Sequence, residues 1–337
     1  MHAYHLSSFH AIEGLSRSER PRPQPGAGQV LVKIHARSLN YRDLLILDQQ
    51  YAVPARPSVI PLSDGAGEVV EVGDGVSGLA AGDRVAATYF PRWQAGLLSP
   101  GMAIDQFGCT RDGMLAEFVV AEEAALVKIP GHLSFEEAST LPCAGLTAWS
   151  AVTTGRSLLP GETVLTIGTG GVALFALQFA KLLGARVIAV TSSKPKAALL
   201  ERLGADAVVD RSQFPDWSGE VRRHTGGQGV DRVVETGAID TLPQSLASCG
   251  ANAELSLVAA LGAGALDAAA LRGLVTMRRL FVGSRAGFEA MNRAVEHHRL
   301  RPVIDRTFGF DEARSAYQYF AARQHIGKVV IAGGGDP

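Results

Sequence analysis

Only three cysteines, Cys109, Cys143 and Cys249, occur in 337 residues. Their odd number and scattered spacing argue against a disulfide framework and fit reduced thiols in a cytoplasmic protein. Charge of one sign is also missing. Lys and Arg total 32 against 33 Asp and Glu, a net charge of −1. Nucleic acid and anionic membranes both require a basic surface, so neither is expected as a partner. No apolar run reaches about 18 residues, so no membrane-spanning helix is expected. The opening Met1-His2-Ala3-Tyr4-His5 has no basic stretch followed by an apolar one, so no secretory leader is expected. Internal repeats and low-complexity tracts are absent too. What is present is a composition of 47% hydrophobic and 19% charged residues, suited to a well-packed soluble enzyme. The length leaves room for two domains.

The most informative stretch runs from Thr163 to Ser193. An apolar run, Val164 to Ile167, leads into Gly168-Thr169-Gly170-Gly171-Val172-Ala173. A helical segment follows, then a second apolar run, Val187 to Val190. This is one βαβ unit with a Gly-rich turn, the context that makes a dinucleotide fingerprint credible. Gly168 permits the tight turn, Gly170 lets the backbone approach a pyrophosphate, and Ala173 allows close helix–strand packing. The phosphates would sit at the helix N-terminus, cradled by Gly168, Thr169, Gly170, Gly171 and Val172.

The end of the second strand bears on the choice of dinucleotide. An NAD site usually carries a carboxylate about 20 residues past the glycines. Here that place holds Thr191, Ser192 and Ser193, followed by Lys194 and Lys196. Hydroxyls and ammonium groups suit a 2′-phosphate, so NADP is expected over NAD. Asp210-Arg211, after the third strand, stands apart from that pattern.

Residues 1 to 127 read as mostly β, with short apolar runs at Val30–Ile34, Gly67–Val72, Asp83–Ala87 and Ala116–Val120 between turn signals. A barrel-like or sandwich-like domain is expected there. Ser134 with Glu137 forms a capping-box signal before a helix, and 145–154 reads as another. Beyond the first βαβ unit, further strands are expected at 207–209, 230–234, 253–261 and 280–282. Helices are expected around 195–203, 216–224, 241–248 and 266–277. Six strands alternating with helices make a Rossmann-type, doubly wound parallel sheet. The fold class is therefore α/β, with a β-rich catalytic domain at 1–127 and 287–337 and a dinucleotide-binding domain at 128–286. Helices at 288–297 and 311–322 and a strand at 328–331 close the chain.

The order of elements resembles the medium-chain dehydrogenase/reductase superfamily. The resemblance is carried by Gly65-Ala66-Gly67-Glu68-Val69-Val70-Glu71-Val72-Gly73, by Gly82-Asp83-Arg84-Val85, by the fingerprint at 168–173, and by Leu203-Gly204-Ala205-Asp206. Zinc enzymes of that superfamily hold a catalytic metal with a Cys, a His beside a Glu, and a second Cys. The matching positions here are Asn40, Ser63 beside Asp64, and Cys143. An amide, a hydroxyl and one thiol make a poor zinc site, and Cys109 alone cannot supply the four cysteines of a structural zinc. No metal is expected.

Without zinc, developing negative charge must be held by hydrogen bonds or spread within the substrate. The chain thus looks like the zinc-independent quinone oxidoreductase-like branch, acting on a quinone or an α,β-unsaturated carbonyl. Ser38-Leu39-Asn40-Tyr41-Arg42-Asp43, with Tyr51 downstream, resembles that branch's elements beside the nicotinamide. Asn40 is a candidate donor to the substrate oxygen. Tyr41 and Tyr51 are candidate hydrogen-bond or proton donors, against the reading of each as a half-buried aromatic. Asp64 bonds the ribose or shapes the site, and Arg42 and Asp43 form a structural pair. By resemblance, Thr236, Val258, Ala259, Ala260, Gly283, Ser284, Arg285 and Lys328 approach the cofactor, although Arg285 also reads as a salt-bridging residue at a helix start. Phe90-Pro91-Arg92-Trp93 reads as a rigid surface turn or a cap on the substrate site. The resemblance implies a homodimer. Two other functions stay open: a zinc-free alcohol dehydrogenase or aldehyde reductase, and a non-enzymatic NADPH-binding sensor or scaffold.

Overall fold

The computed structural model describes residues 1–237, 239–258, 266–271 and 273–333. They divide into two compact units, Met1–Leu146 with Val282–Pro337, and Thr147–Phe281. The divisions fall at 146 and 282 rather than at the expected 127 and 287. The reason lies in the segment after residue 128, which is bonded into the first unit. Ser38 donates through Oγ to the Ser139 carbonyl at 2.9 Å, and the Cys143 N–H donates to Asp64 Oδ2 at 3.3 Å.

In the first unit, strands β1 (His2–Leu6) and β2 (Leu15–Glu19) form an antiparallel hairpin. Then come β3 (Gln29–Ser38), β4 (Asp64–Val72), β5 (Arg84–Ala87), β6 (Phe118–Glu122) and β7 (Leu126–Lys128). The long strand β3 organises this sheet. It pairs β4 on one side. On the other, its first half pairs β6 and its end pairs the tail strand Lys328–Ala332. Val30, Val32 and Ile34 alternate along β3 and are buried with Val69 and Val85 in one apolar core. Burying each such side chain contributes about 1.5–3 kcal/mol. The tail strand thereby lies beside the start of the helix Tyr41–Leu47, and the Leu39 N–H donates to the Val329 carbonyl at 3.0 Å.

The second unit holds β8 (Thr163–Ile167), β9 (Arg186–Thr191), β10 (Ala207–Asp210), β11 (Val230–Glu235), β12 (Cys249–Leu257) and β13 (Val275–Arg279). Among the described residues these six are all parallel, in the order β10-β9-β8-β11-β12-β13. Every residue of β8 is buried, as befits a central strand covered on both faces. The strand order reverses between β8 and β11, the switch point where such sheets bind ligands.

The sixth strand is a correction. It was expected at 280–282, after a helix at 266–277. Instead the strand is Val275–Arg279, preceded by a short turn at Ala268–Ala270. The apolar run Leu280-Phe281-Val282 lies beyond its end, and Val282 takes φ +46, a left-handed conformation that a β-branched residue adopts only at a cost.

Candidate active site

In the second unit, the loop between β8 and the helix Gly171–Leu182 has the geometry of an anion cradle. Gly168 takes φ +85 and donates its N–H to the Val190 carbonyl at 2.7 Å. Gly170 is the N-cap and offers no side-chain cap. The first helical N–H groups therefore lack intrahelical partners. A Cβ added to Gly170 would meet nothing within 4 Å. Crowding inside this unit does not demand glycine there, whereas the close approach of a pyrophosphate does. Thr169 is buried beside it, and Gly171 and Val172 are half-buried.

Thr191 ends β9, with Oγ1 accepting from the Ser193 N–H at 3.3 Å. Ser192 is exposed, Ser193 is the N-cap of the helix Lys194–Arg202, and Lys196 is half-buried in its first turn. One residue was missed as a candidate here. Arg211 donates its backbone N–H to the Thr191 carbonyl at 2.8 Å, which sets this residue next to the end of β9. Its neighbour Asp210 caps its own turn through Ser212 Oγ at 2.7 Å. Across the switch point, Thr236 Oγ1 donates to the Ile167 carbonyl at 2.6 Å. The Val258 N–H donates to the Glu235 carbonyl at 2.9 Å. Glu235 is buried and braces this edge by accepting from the Gly237 N–H and Thr241 Oγ1 at 2.6 and 2.8 Å. Burial pushes its carboxyl up. The expected Ala259 and Ala260 lie outside the described residues.

The first unit gathers a second constellation. Asn40 precedes the helix Tyr41–Leu47, and its N–H donates to Asp43 Oδ2 at 2.8 Å. Lys328, at the head of the tail strand, is 2% exposed. Its Nζ donates to Asn40 Oδ1 and to the Leu39 carbonyl, each at 2.6 Å, and lies 3.9 Å from Asp64 Oδ2. Burial lowers the affinity of that ammonium for its proton. Asp64 Oδ1 accepts from Ser63 Oγ at 2.8 Å, and its Oδ2 accepts from Ser38 Oγ at 3.3 Å. Asn40 Nδ2 is buried and has no partner.

Beside it, Tyr51 and Tyr89 bring their hydroxyls to 2.7 Å, one donating to the other, and Gln106 Oε1 lies within accepting distance of each, at 3.0 and 3.3 Å. Arg42 lies over both rings, at 5.2 and 4.7 Å from their centroids. Its charge reaches Gln106 and the Phe107 carbonyl. Arg42 and Asp43 approach to 4.0 Å, the pairing expected of them. Burial holds the Tyr89 phenol well above its ordinary range. Burial pushes the Cys143 thiol well up from its ordinary range. Neither Tyr89 nor Gln106 was singled out in the sequence, since no motif marks them. Their only signal was an aromatic and an amide in a loop-rich stretch.

Two expectations are corrected here. Tyr41 does not join the cluster. It is 47% exposed and accepts from Arg323 Nη2 at 2.7 Å, because successive residues at a helix start face different ways. Gly283, Ser284 and Arg285 do not end a strand. Ser284 is the N-cap of the helix Arg285–His297, accepting the Gly287 N–H at 3.2 Å, and Arg285 pairs Glu289 at 3.3 Å. The Arg285 N–H also donates to the Trp93 carbonyl at 2.9 Å, so Phe90–Trp93 serves as a structural turn.

Two family models match these units. Residues 26–131 match an alcohol dehydrogenase GroES-like domain, and residues 171–299 match a zinc-binding dehydrogenase. A zinc-type alcohol dehydrogenase-like protein of Schizosaccharomyces pombe is 38% identical, over 90% of either chain. The chain belongs to the medium-chain dehydrogenase/reductase superfamily. As a medium-chain dehydrogenase/reductase it is an oxidoreductase that binds a nicotinamide dinucleotide, and the loop at 168–172 fits the pyrophosphate. It is also similar to the acryloyl-coenzyme A reductase of Metallosphaera sedula, at 30% identity over 95% of this chain and 96% of that one. Among solved structures, an NAD-dependent alcohol dehydrogenase superposes with a TM-score of 0.89 at 33% identity, covering 99% of this chain and 100% of that one.

The zinc in the family description meets a poor donor set. The resemblance matches the zinc enzymes' ligand positions to Asn40, Ser63 and Cys143, and here the Lys328 ammonium lies 2.6 Å from Asn40 Oδ1. A fixed cation at that oxygen repels a second one, and an amide and a hydroxyl are weak zinc ligands. These residues do not fit the metal. Among the described residues no group of three or more His, Cys, Asp or Glu could hold one elsewhere, and no helix is long and apolar enough to cross a membrane.

Proposed function

We propose that this protein is an NADPH-dependent reductase of a quinone or α,β-unsaturated carbonyl and works without a metal. The observation that carries this reading is the Lys328–Asn40 pair. It puts a buried hydrogen-bonding unit, with an unpartnered Nδ2–H donor, where a zinc enzyme carries its Lewis acid.

A bound nicotinamide would supply a hydride. The chain's residues do the rest. Hydride addition to a conjugated acceptor would push an electron pair through its π system onto the acceptor oxygen. Asn40 Nδ2 donates to that oxygen. Tyr51, with Tyr89 behind it, hands over the proton that completes the reduction, and solvent restores it. A saturated aldehyde localises the whole charge on one oxygen and needs stronger stabilisation than one amide gives. The reductase of Metallosphaera sedula acts on acryloyl-coenzyme A, a conjugated thioester, which supports a conjugated acceptor here.

For the cofactor, Ser192, Lys196 and Arg211 offer a hydroxyl and two cations to a 2′-phosphate, and no free carboxylate replaces them at Thr191. The reading is tested by dialysing the protein against a strong zinc chelator and measuring NADPH oxidation with a quinone. Full retention of rate is expected. Loss restored by added zinc contradicts it.

A homodimer belongs to the same proposal. Among the described residues β13 is an edge strand, with Met277 exposed on it and Leu274 and Phe281 exposed on either side of it. An unpaired strand edge invites a second copy. Sedimentation of a Met277→Lys variant as monomer, against a dimeric wild type, is the expected result.

A further inference from the structure

We propose that Lys328 is a positioning residue that fixes which face of the Asn40 amide meets the substrate. The inference rests on the reductase reading and names a device within that same site. An ammonium can only donate hydrogen bonds. The Asn40 atom 2.6 Å from Lys328 Nζ is therefore the oxygen, and the amide cannot turn over while that contact holds. The NH2 end must point the other way.

The rest of the site agrees. Asn40 is 7% exposed, and its Nδ2 has no partner inside the protein. Buried donors are almost always satisfied, so an acceptor from outside the chain is the missing partner. Lys328 is itself held rigidly. Its Nζ also donates to the Leu39 carbonyl at 2.6 Å and faces Asp64 Oδ2 at 3.9 Å. The ammonium thus does not touch the substrate. It converts an amide with two possible orientations into a fixed donor.

The test compares the wild type with Lys328→Arg, Lys328→Met, Asn40→Leu and the double variant Lys328→Met/Asn40→Leu, using an ortho-quinone the wild type reduces. NADPH affinity is measured in parallel by fluorescence titration. Lys328→Met should lower kcat on the order of 100-fold, with NADPH affinity unchanged. Lys328→Arg, which keeps a donor towards Oδ1, should recover most of that loss. The double variant should be no worse than Asn40→Leu alone, because one residue acts through the other. Additive losses in the double variant overturn the proposal, as does a fall in NADPH affinity matching the fall in rate. Circular dichroism and a thermal melt of each variant show that it has folded. A wild type that binds NADPH yet reduces no conjugated acceptor overturns the reductase reading, and this role with it. An active wild type with an equally active Lys328→Met overturns this role alone.

Discussion

The Tyr51 hydroxyl lies 2.7 Å from the Tyr89 hydroxyl, and the two share Gln106 Oε1. Arg42 covers both rings, so the pair is fixed from behind. One tyrosine can pass a proton forward while the other hydroxyl donates to its oxygen. Tyr51→Phe should therefore lower kcat by about 10²-fold or more and leave NADPH affinity unchanged. Tyr41→Phe should leave kcat unchanged, since its hydroxyl is spent on Arg323. Steady-state kinetics of the two variants decide between these roles. Equal losses would return Tyr41 to the site.

Cofactor choice rests on the residues after β9 and β10. Lys196→Ala and Arg211→Ala should each weaken NADPH by about 10-fold or more, the usual cost of losing a charged hydrogen-bond partner, while NADH binding holds. Competitive titrations of the two cofactors measure this. Equal weakening of both would remove the 2′-phosphate role.

Burial raises the Asp43 carboxyl to about 6. In the unfolded chain it titrates near its ordinary value of 3.8. Between those values the folded state holds a proton that the unfolded state has lost. Stability therefore falls as pH rises through that window, because the folded state binds more protons. Asp43→Asn keeps an acceptor for the Asn40 N–H and removes the titration. Thermal unfolding from pH 4 to 6 should show a shallower decline in Tm for the variant than for the wild type. Identical profiles would place the titration elsewhere.

The sequence made the dinucleotide unit legible because its signals are local. A glycine that must take φ +85, a continuous apolar strand and the helix that follows them are all read within a few residues. The edge strand β13 was hidden, since its Val-Thr-Met-Arg-Arg alternation is weak beside the apolar run that follows it. The hairpin β1–β2 and the helix Tyr41–Leu47 were missed for similar reasons. The helix is short, and its capping pair is Asn40 with Asp43 rather than a serine with a glutamate. The chemical cluster was only half legible. Asn40, Tyr51 and Asp64 were marked by motif. Lys328 was expected near the cofactor, but its contact with Asn40 spans 288 residues and exists only because the tail strand pairs β3. Tyr89 and Gln106 join through the same kind of distant packing, which no local pattern records.

The most direct measurement is NADPH oxidation with three acceptors in parallel: an ortho-quinone, an α,β-unsaturated aldehyde and its saturated counterpart. Turnover of the first two, with the saturated aldehyde inert, is the expected result for an enzyme that holds an oxyanion with one oriented amide and no metal. Turnover chiefly of the saturated aldehyde would contradict it.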